Sequence, residues 1–279
     1  MKRGTWIHKA AQALTVVVGL IFLVIIGSLV REGLPAFTWR FLVGGAHGGN
    51  IGPELFNTAF MVGGTLAVTA PLGLIAAAVQ TEYARGRVRR PARSFDRLRA
   101  TLLGAPSIVV ALVVYRVAVE WWHWPVSVLT GMLALAVLNW PLMLTLANRA
   151  LSRVPDGYRE ASLALGATRL ETVLKVVIPA ALSELIDGWG IAFARLAGES
   201  AALIATAGVT TSSRWSLWGP GETLAVHIWY VRTQGAAMTR DSQAAASGLV
   251  LMVMITAAVW LAGRVAGWVG RADIQTGGN

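Results

Sequence analysis

Arg195 and Glu199 are the residues of this chain best placed to do chemistry. They stand in Ala194-Arg-Leu-Ala-Gly-Glu-Ser-Ala-Ala-Leu-Ile204, within an apolar stretch from about 182 to 208. Four residues apart, they share a face if the stretch is one helix. At about 1.5 Å per residue Arg195 lies roughly 18 Å into it, near the midplane of a ~30 Å hydrocarbon layer. A guanidinium there costs at least about 2.5–3.5 kcal/mol unless it meets a partner or a wet cavity. One arrangement that meets this cost is an ion pair locking helices together. Another is an anion site, in which the planar guanidinium fork matches phosphate oxygens and Glu199 holds it in place. Gly198 would let another backbone approach closely, and Ser200 follows directly. A third use, Glu199 as an intramembrane acid or base, lacks a second acid/base group or metal cluster in the same stretch. His8, His47, His123 and His227 fall in different segments without metal-ligand spacing. No catalytic residue and no metal ligand is assigned.

The elements around this pair are those of a membrane protein. Of 279 residues, 55% are hydrophobic and only 14% charged, against about 25% charged in soluble domains. The net charge of +10 reflects basic residues clustered between apolar runs, as bilayer proteins concentrate them on the cytoplasmic side; nucleic acid is not the expected partner. There is no cysteine, so no disulfide framework or thiolate metal site. The apolar run Ala10–Val30 exceeds the core of a signal peptide and reads as a retained span.

Six stretches approach the required ~20 residues: about 10–31, 56–80, 97–119, 126–148, 182–208 and 244–268. The third and fourth are joined by the tight hairpin Glu120-Trp-Trp-His-Trp-Pro125. Basic residues at the N-terminus, over 85–99, over 149–175 and at the C-terminal end then share one side, which puts both termini in the cytoplasm. The segments 32–55 and 209–243 are long and lie outside; Thr223 to Tyr230 reads as a re-entrant helix or lid. Arg116 and Glu120 pair at i, i+4, and Glu184 and Asp187 sit at the inner start of the fifth span.

Between the fourth and fifth spans, Val154 to Pro179 encodes two short helices. Asp156 is placed to cap the first, and Gly166 to end it in a left-handed conformation. Thr168 and Glu171 form a capping box for the second, and Pro179 interrupts it before the fifth span. The first helix carries Tyr158, Ala161, Ser162 and Leu165 on one face. The second carries Leu170, Val173, Leu174, Val177 and Ile178. Such a pair either enters a groove on a partner or lies on the membrane. The chain has only three lysines and no glycine-rich phosphate loop, so it does not cradle ATP itself.

Glu160-Ala-Ser-Leu-Ala-Leu-Gly166, followed by Ile178-Pro179, resembles the signature loop of the binding-protein-dependent transport inner-membrane components, the permeases of ABC importers. That loop reads Glu-Ala-Ala, three residues, Gly, and later an apolar residue and Pro; Ser162 stands for the second Ala. The stretch Arg195-Leu-Ala-Gly-Glu-Ser-Ala201 is similar to the Arg-x-x-Gly-Glu-Thr/Ser-Ala element of phosphate ABC transporter permeases, closer to the A-type (PstA-like) than the C-type, and Gly104-Ala-Pro-Ser-Ile108 resembles their Gly-x-Pro-Ser-Ile element. The similarity runs from about Gly52 to Tyr230.

The resemblance implies an all-α polytopic membrane protein with six transmembrane helices and the type I ABC importer permease fold. It implies a single transmembrane domain over 1–279, a permease core over 56–268 and cytoplasmic coupling helices over 155–180. It places Glu160, Ala161, Gly166, Ala167, Ile178 and Pro179 against the ATPase, and Arg195, Gly198, Glu199, Ser200, Pro106, Ser107 and Thr145 along the substrate path. Freed backbone at Pro106 would be met by the Ser107 hydroxyl. The implied partners are a second, C-type permease, two ATPase subunits that bind ATP and Mg, an extracytoplasmic phosphate-binding protein and membrane lipid. The resemblance further implies that no cofactor resides in this chain and that it is a transporter subunit of the bacterial cytoplasmic membrane, not an enzyme.

One departure matters: A-type permeases carry a second Arg after the proline of the fourth span, where this chain has Thr145, with Arg149 one turn on. Phosphonate, sulfate and molybdate therefore stand as alternative substrates, and a non-transporting phosphate sensor as an alternative role.

Overall fold

The computed structural model of the chain describes residues 3–43, 50–83, 99–209, 215–235 and 239–276, and all regular structure among them is helical. Arg85 to Arg97 of the basic loop lie outside the described residues, as do Arg214 and His47. In chain order the main elements are α1 (Arg3–Gly33) and α2 (Gly52–Tyr83), then α3 (Ser107–Tyr115) and α4 (Val128–Arg153). They continue with α5 (Asp156–Ala164), α6 (Arg169–Ala197) and α7 (Ala201–Thr206). The last two are α8 (Leu224–Gln234) and α9 (Arg240–Thr276).

Among the described residues five helices are long and apolar enough to cross a membrane: α1, α2, α4, α6 and α9. The expected third span is not one of them, because it is broken. A helix over 99–104 stops at Ala105, and α3 begins at Ser107. Pro106 between them is extended, with φ −58° and ψ 130°; it has no N–H to donate and its ring clashes with a preceding helical turn. Beyond Tyr115 the chain continues as a π-turn over Arg116–Trp121 into the Trp-rich hairpin, where His123 takes φ 55°. Arg116 and Glu120 do pair, at 3.4 Å on the surface.

The fifth span also differs from expectation. Pro179 does not interrupt it: α6 runs unbroken from the second short helix expected after Gly166 into the span. The turn ahead of the proline, Val173–Val177, is wound as a π-turn. A wider turn changes which carbonyls need donors, and so accommodates the missing N–H of Pro179. The interruption comes later. α6 ends at Ala197, residues 198–200 are not helical, and α7 begins at Ala201.

The chain forms two compact units, residues 1–52 with 227–250, and residues 53–226 with 251–279. In the first, α1 packs against the opening turns of α9; a Cβ on Gly33 would come within 2.8 Å of the Ala246 backbone. Arg232 at the end of α8 pairs with Asp241 at the start of α9.

The second unit holds the candidate site and is built around α4. Of the five long helices α4 is the most enclosed, with just over half of its apolar stretch buried. Leu144, Ala147 and Leu151 of α4 pack with Val177, Ala181 and Leu185 of α6, a buried seam that carries the inner half of the unit. Polar contacts fix α2 against α4: Asn139 Nδ2 donates to Thr69 Oγ1 at 3.1 Å, and Asn148 Nδ2 to Gln80 Oε1 at 2.9 Å. Between α6 and α9 the backbones approach closely, since a Cβ on Gly190 would lie 2.6 Å from that of Ala262. Small residues make such approaches possible where helix association depends on dispersion contacts.

Candidate functional site

The two broken spans meet at their breaks. Val110 and Ala111 of α3, Leu138 of α4 and Ala202 of α7 form one buried cluster, and Ala105 packs against it. Ala105 immediately precedes Pro106, and Ala202 follows the break at Gly198–Ser200 by one turn or less. Two helices thus begin side by side inside the span, each exposing first-turn amides that no preceding turn satisfies. On α3, Val109 and Val110 donate to the Pro106 carbonyl at 3.0 and 3.3 Å. The Ser107 hydroxyl makes no hydrogen bond among the described residues, so the expected repair of the backbone by that side chain is not seen.

Glu199 does not hold Arg195. Its Oε1 accepts from the Ala202 amide at 3.2 Å, capping α7. The cause is the helix end: Gly198 takes φ −87° and ψ −2° after Ala197, which turns Glu199 off the face that an unbroken helix would share with Arg195. An orphan first-turn N–H then takes the carboxylate. Ser200 sits at the N-cap position of α7, and its carbonyl, not its side chain, accepts from Leu203 and Ile204. Arg195 makes no ion pair among the described residues and is exposed. It lies on a stripe that the described residues leave uncovered, Asp187, Ile191 and Arg195 of α6 and Gly198 just past its end, at spacings of four, four and three. Glu184, at the edge of that stripe, pairs with Arg153 at 2.8 Å near the surface.

Thr145 does not stand with Arg195. Its hydroxyl donates to the Pro141 carbonyl at 2.7 Å, and its side chain lines a cleft at the end of α4 nearest α5.

The segment over 155–180 is built as a rigid unit. Pro155, not Asp156, precedes the first turn of α5; Asp156 is its first helical residue and accepts from Arg159 at 3.4 Å. At the other end Gly166 has φ +86°. Its N–H donates to Leu163 O at 3.0 Å and that of Ala167 to Ser162 O at 3.2 Å, the paired bonds of a left-handed helix stop. Thr168 Oγ1 accepts from the Glu171 amide at 3.3 Å, and Glu171 Oε2 accepts from the Thr168 amide at 2.9 Å, which completes the capping box. The Ser162 and Thr172 hydroxyls meet at 2.9 Å and tie the two helices. Tyr158, Ala161, Ser162, Leu165, Ala167 and Val176 line an apolar groove of about 370 Å³ between them. Glu160, Ala161 and Pro179 are exposed, and Leu165 is 89% exposed. The second helix splits its apolar face: Val173 and Val177 turn inward, while Leu170 and Leu174 remain outside.

Sequence reasoning missed Arg159 and Glu82. Arg159 is buried, and its Nε donates to both Glu82 oxygens at 3.0 and 3.1 Å. Its remaining nitrogens donate to the Val154 carbonyl at 2.7 Å and the Leu151 carbonyl at 2.8 Å. One guanidinium thereby joins the end of α2, the end of α4 and α5. The available signal was Glu82, the only acidic residue between Glu54 and Asp96, at the end of an apolar run where a lone carboxylate needs a partner.

Comparison with known proteins agrees with this architecture. Residues 69–271 match the family described as binding-protein-dependent transport system inner membrane component. The chain is 36% identical over 272 residues to the probable ABC transporter permease protein YqgI of Bacillus subtilis, with 90% of each chain covered. It is 32% identical over 223 residues to the phosphate transport system permease protein PstA of Haemophilus influenzae, with 77% of each covered. Among solved structures it resembles a chain of the bacterial alginate ABC transporter in complex with an alginate pentasaccharide-bound periplasmic protein, with TM-score 0.73, 14% identity and 95% of each chain covered. A chain of the inward-facing MetNI methionine ABC transporter gives TM-score 0.61 at 19% identity, over 77% of this chain and 94% of that one. At such identities the structural likeness speaks for the fold, that of type I ABC importer permeases. The chain is a multi-pass permease subunit, not an enzyme, and it belongs to the binding-protein-dependent transport system inner membrane component family.

Proposed function

We propose that this permease conducts inorganic phosphate inward across the cytoplasmic membrane, along a pathway that Arg195 lines. The observation that carries the reading is the uncovered Arg195 on α6, with the carboxylate nearest it in sequence, Glu199, committed to capping α7. A guanidinium within a span costs at least about 2.5–3.5 kcal/mol if it faces lipid. The stripe Asp187–Ile191–Arg195–Gly198 therefore faces a water-filled path closed by a second permease subunit. In that path the guanidinium is a fork for a tetrahedral oxyanion. The similarity to proteins named as phosphate permeases supports phosphate as that anion.

The energy comes from outside the chain. Two ATPase subunits, which bind ATP and Mg, dock on the coupling segment over 155–180, and an extracytoplasmic phosphate-binding protein delivers the anion. The basic residues around that segment put it, and both termini, in the cytoplasm. Because α6 runs unbroken from the coupling segment to Ala197, a tilt of the docked helices moves Arg195 as part of one rigid rod. Alternating access follows from that lever.

The test is uptake by the complete importer in proteoliposomes, with phosphonate, sulfate and molybdate as competitors. The reading expects labelled phosphate to accumulate with ATP and to be displaced poorly by the other three. Preferred uptake of any of those would reassign the substrate, and ATP hydrolysis with no uptake of any oxyanion would support a sensor instead.

A further inference from the structure

We propose that a cleft beside the C-terminal end of α1, built on Arg40, holds the headgroup of an anionic phospholipid. The phosphodiester lies on the guanidinium, and an uncharged polyol such as glycerol lies beyond it. In the topology proposed above, this lipid belongs to the outer leaflet.

The cleft lies wholly within the unit of residues 1–52 and 227–250 and has a volume of about 410 Å³, the size of a small-ligand pocket. Thr38, Arg40, Thr239, Ser242 and Gln243 give it a polar lining, and no described residue of that lining is acidic. Its walls are fixed without a ligand. On one side the chain leaves α1 through a tight turn, Leu34–Ala36, and enters a short helix, Trp39–Val43. Phe41 of that helix is buried, and its carbonyl accepts from the Ile51 amide at 2.8 Å. On the other side Ser242 Oγ and the Gln243 amide donate to the Thr239 carbonyl at 3.0 and 2.9 Å, which sets the first turn of α9.

The donors left over are specific. Arg40 is exposed and makes neither an ion pair nor a hydrogen bond among the described residues. Asp241 is the one acidic residue of the two segments that form the cleft, 34–43 and 239–243. It is committed elsewhere, to Arg232 and, at 3.5 Å, to Arg240. The Thr38 hydroxyl accepts from the Phe41 amide at 3.2 Å and keeps its own proton to donate. The Thr239 hydroxyl and the Gln243 carboxamide make no hydrogen bond among the described residues. One guanidinium matches one singly charged phosphodiester. The uncharged donors around it suit a polyol, whereas a choline cation would be repelled by Arg40.

The surroundings of the cleft assign the phosphate group to a lipid. Leu34, Phe37 and Trp39 interleave with the lining residues in sequence and are 63%, 48% and 76% exposed. Indoles favour the headgroup layer, so Trp39 sets its neighbour Arg40 at the depth of lipid phosphates. Val24, Ile25 and Val30 of α1 are also exposed, an apolar surface on which acyl chains can lie.

The chain has no cysteine, so Ala36→Cys gives this subunit a single thiol in the cleft lining. Val43→Cys, on the same short helix but outside the lining, controls for the general effect of a charged membrane surface. The complete importer carrying either thiol is placed in phosphatidylcholine nanodiscs, alone, with phosphatidylglycerol, or with inorganic phosphate in solution. The rate of modification by uncharged N-ethylmaleimide is read by mass on this subunit.

We expect phosphatidylglycerol to slow labelling several-fold at Ala36→Cys and hardly at Val43→Cys, and inorganic phosphate to slow neither. Adding Arg40→Gln should abolish the protection. Arg40→Lys should retain part of it, since it keeps the charge and loses the fork. Equal slowing at both thiols, or protection that survives Arg40→Gln, would overturn the proposal. Protection by inorganic phosphate and not by phosphatidylglycerol would overturn the lipid and give the cleft to the free ion. A thiol at residue 36 that is unreactive even in phosphatidylcholine alone would mean that another subunit covers the cleft, which would overturn the proposal as well.

Discussion

Arg159 and Glu82 meet through three hydrogen bonds of 2.8–3.1 Å, with both side chains more than nine-tenths buried. The contact spans 77 residues of sequence and ties α5 to the end of α2. On the proposed docking of an ATPase at α5, its movement would reach two spans, α2 through this pair and α6 through its unbroken backbone.

Removing one partner of such a pair leaves a buried charge uncompensated. Arg159→Ala is expected to destabilise the assembled permease by about 3–5 kcal/mol. Denaturant titration of the purified complex reads this directly. A loss below about 1 kcal/mol would mean that the pair behaves like an exposed one.

Gly166 holds φ +86°, a conformation that costs a residue with a Cβ roughly 1–2 kcal/mol. Space is not the obstacle, since a Cβ there would meet nothing within 4 Å. Gly166→Ala should therefore leave the spans folded but misalign α5 and α6. The expected result is weaker binding of the ATPase subunit to permease-containing membranes, measured by titration. Unchanged binding would show that the angle between the two helices does not matter for docking.

Gly190 marks the close approach of α6 and α9, where a Cβ would lie 2.6 Å from that of Ala262. Gly190→Leu should lower the yield of folded complex sharply, because overpacking typically costs about 1–3 kcal/mol and more when backbones must part. Gly267→Leu on α9, where a Cβ would meet nothing, is the control and should be tolerated. Equal yields from the two variants would contradict the packing described here.

Much of this was legible from sequence. Apolar run lengths located five of the six expected spans among the described residues, and the cap residues Gly166, Thr168 and Glu171 do in the structure what their types suggest. Local rules failed where three-dimensional context overrode them. Pro179 looks like a stop, but a π-turn over Val173–Val177 carries the helix through it. Arg195 and Glu199 look like an i, i+4 pair, but the helix ends between them at Ala197. Asp156 looks like a cap, but Pro155 already supplies the extended residue ahead of the helix. Arg159 and Glu82 were invisible because no local pattern links residues so far apart.

Glu199 as a cap makes a different prediction from Glu199 as a counter-ion. Glu199→Gln keeps an oxygen that accepts from the Ala202 amide, so most of the uptake should survive. Glu199→Ala removes the cap and should cost about 1 kcal/mol of stability. Loss of uptake in a stably assembled Glu199→Gln complex would restore a direct role for its charge.

The proposed function depends above all on Arg195 meeting the transported anion. The most direct measurement is labelled phosphate uptake by proteoliposomes of the complete importer carrying Arg195→Gln, with assembly and ATPase docking checked in the same preparation. If Arg195 meets the anion, the complex assembles normally and its uptake is abolished. A normally assembled complex that takes up phosphate at the wild-type rate would contradict it, and would leave Arg195 as a contact to the second permease alone.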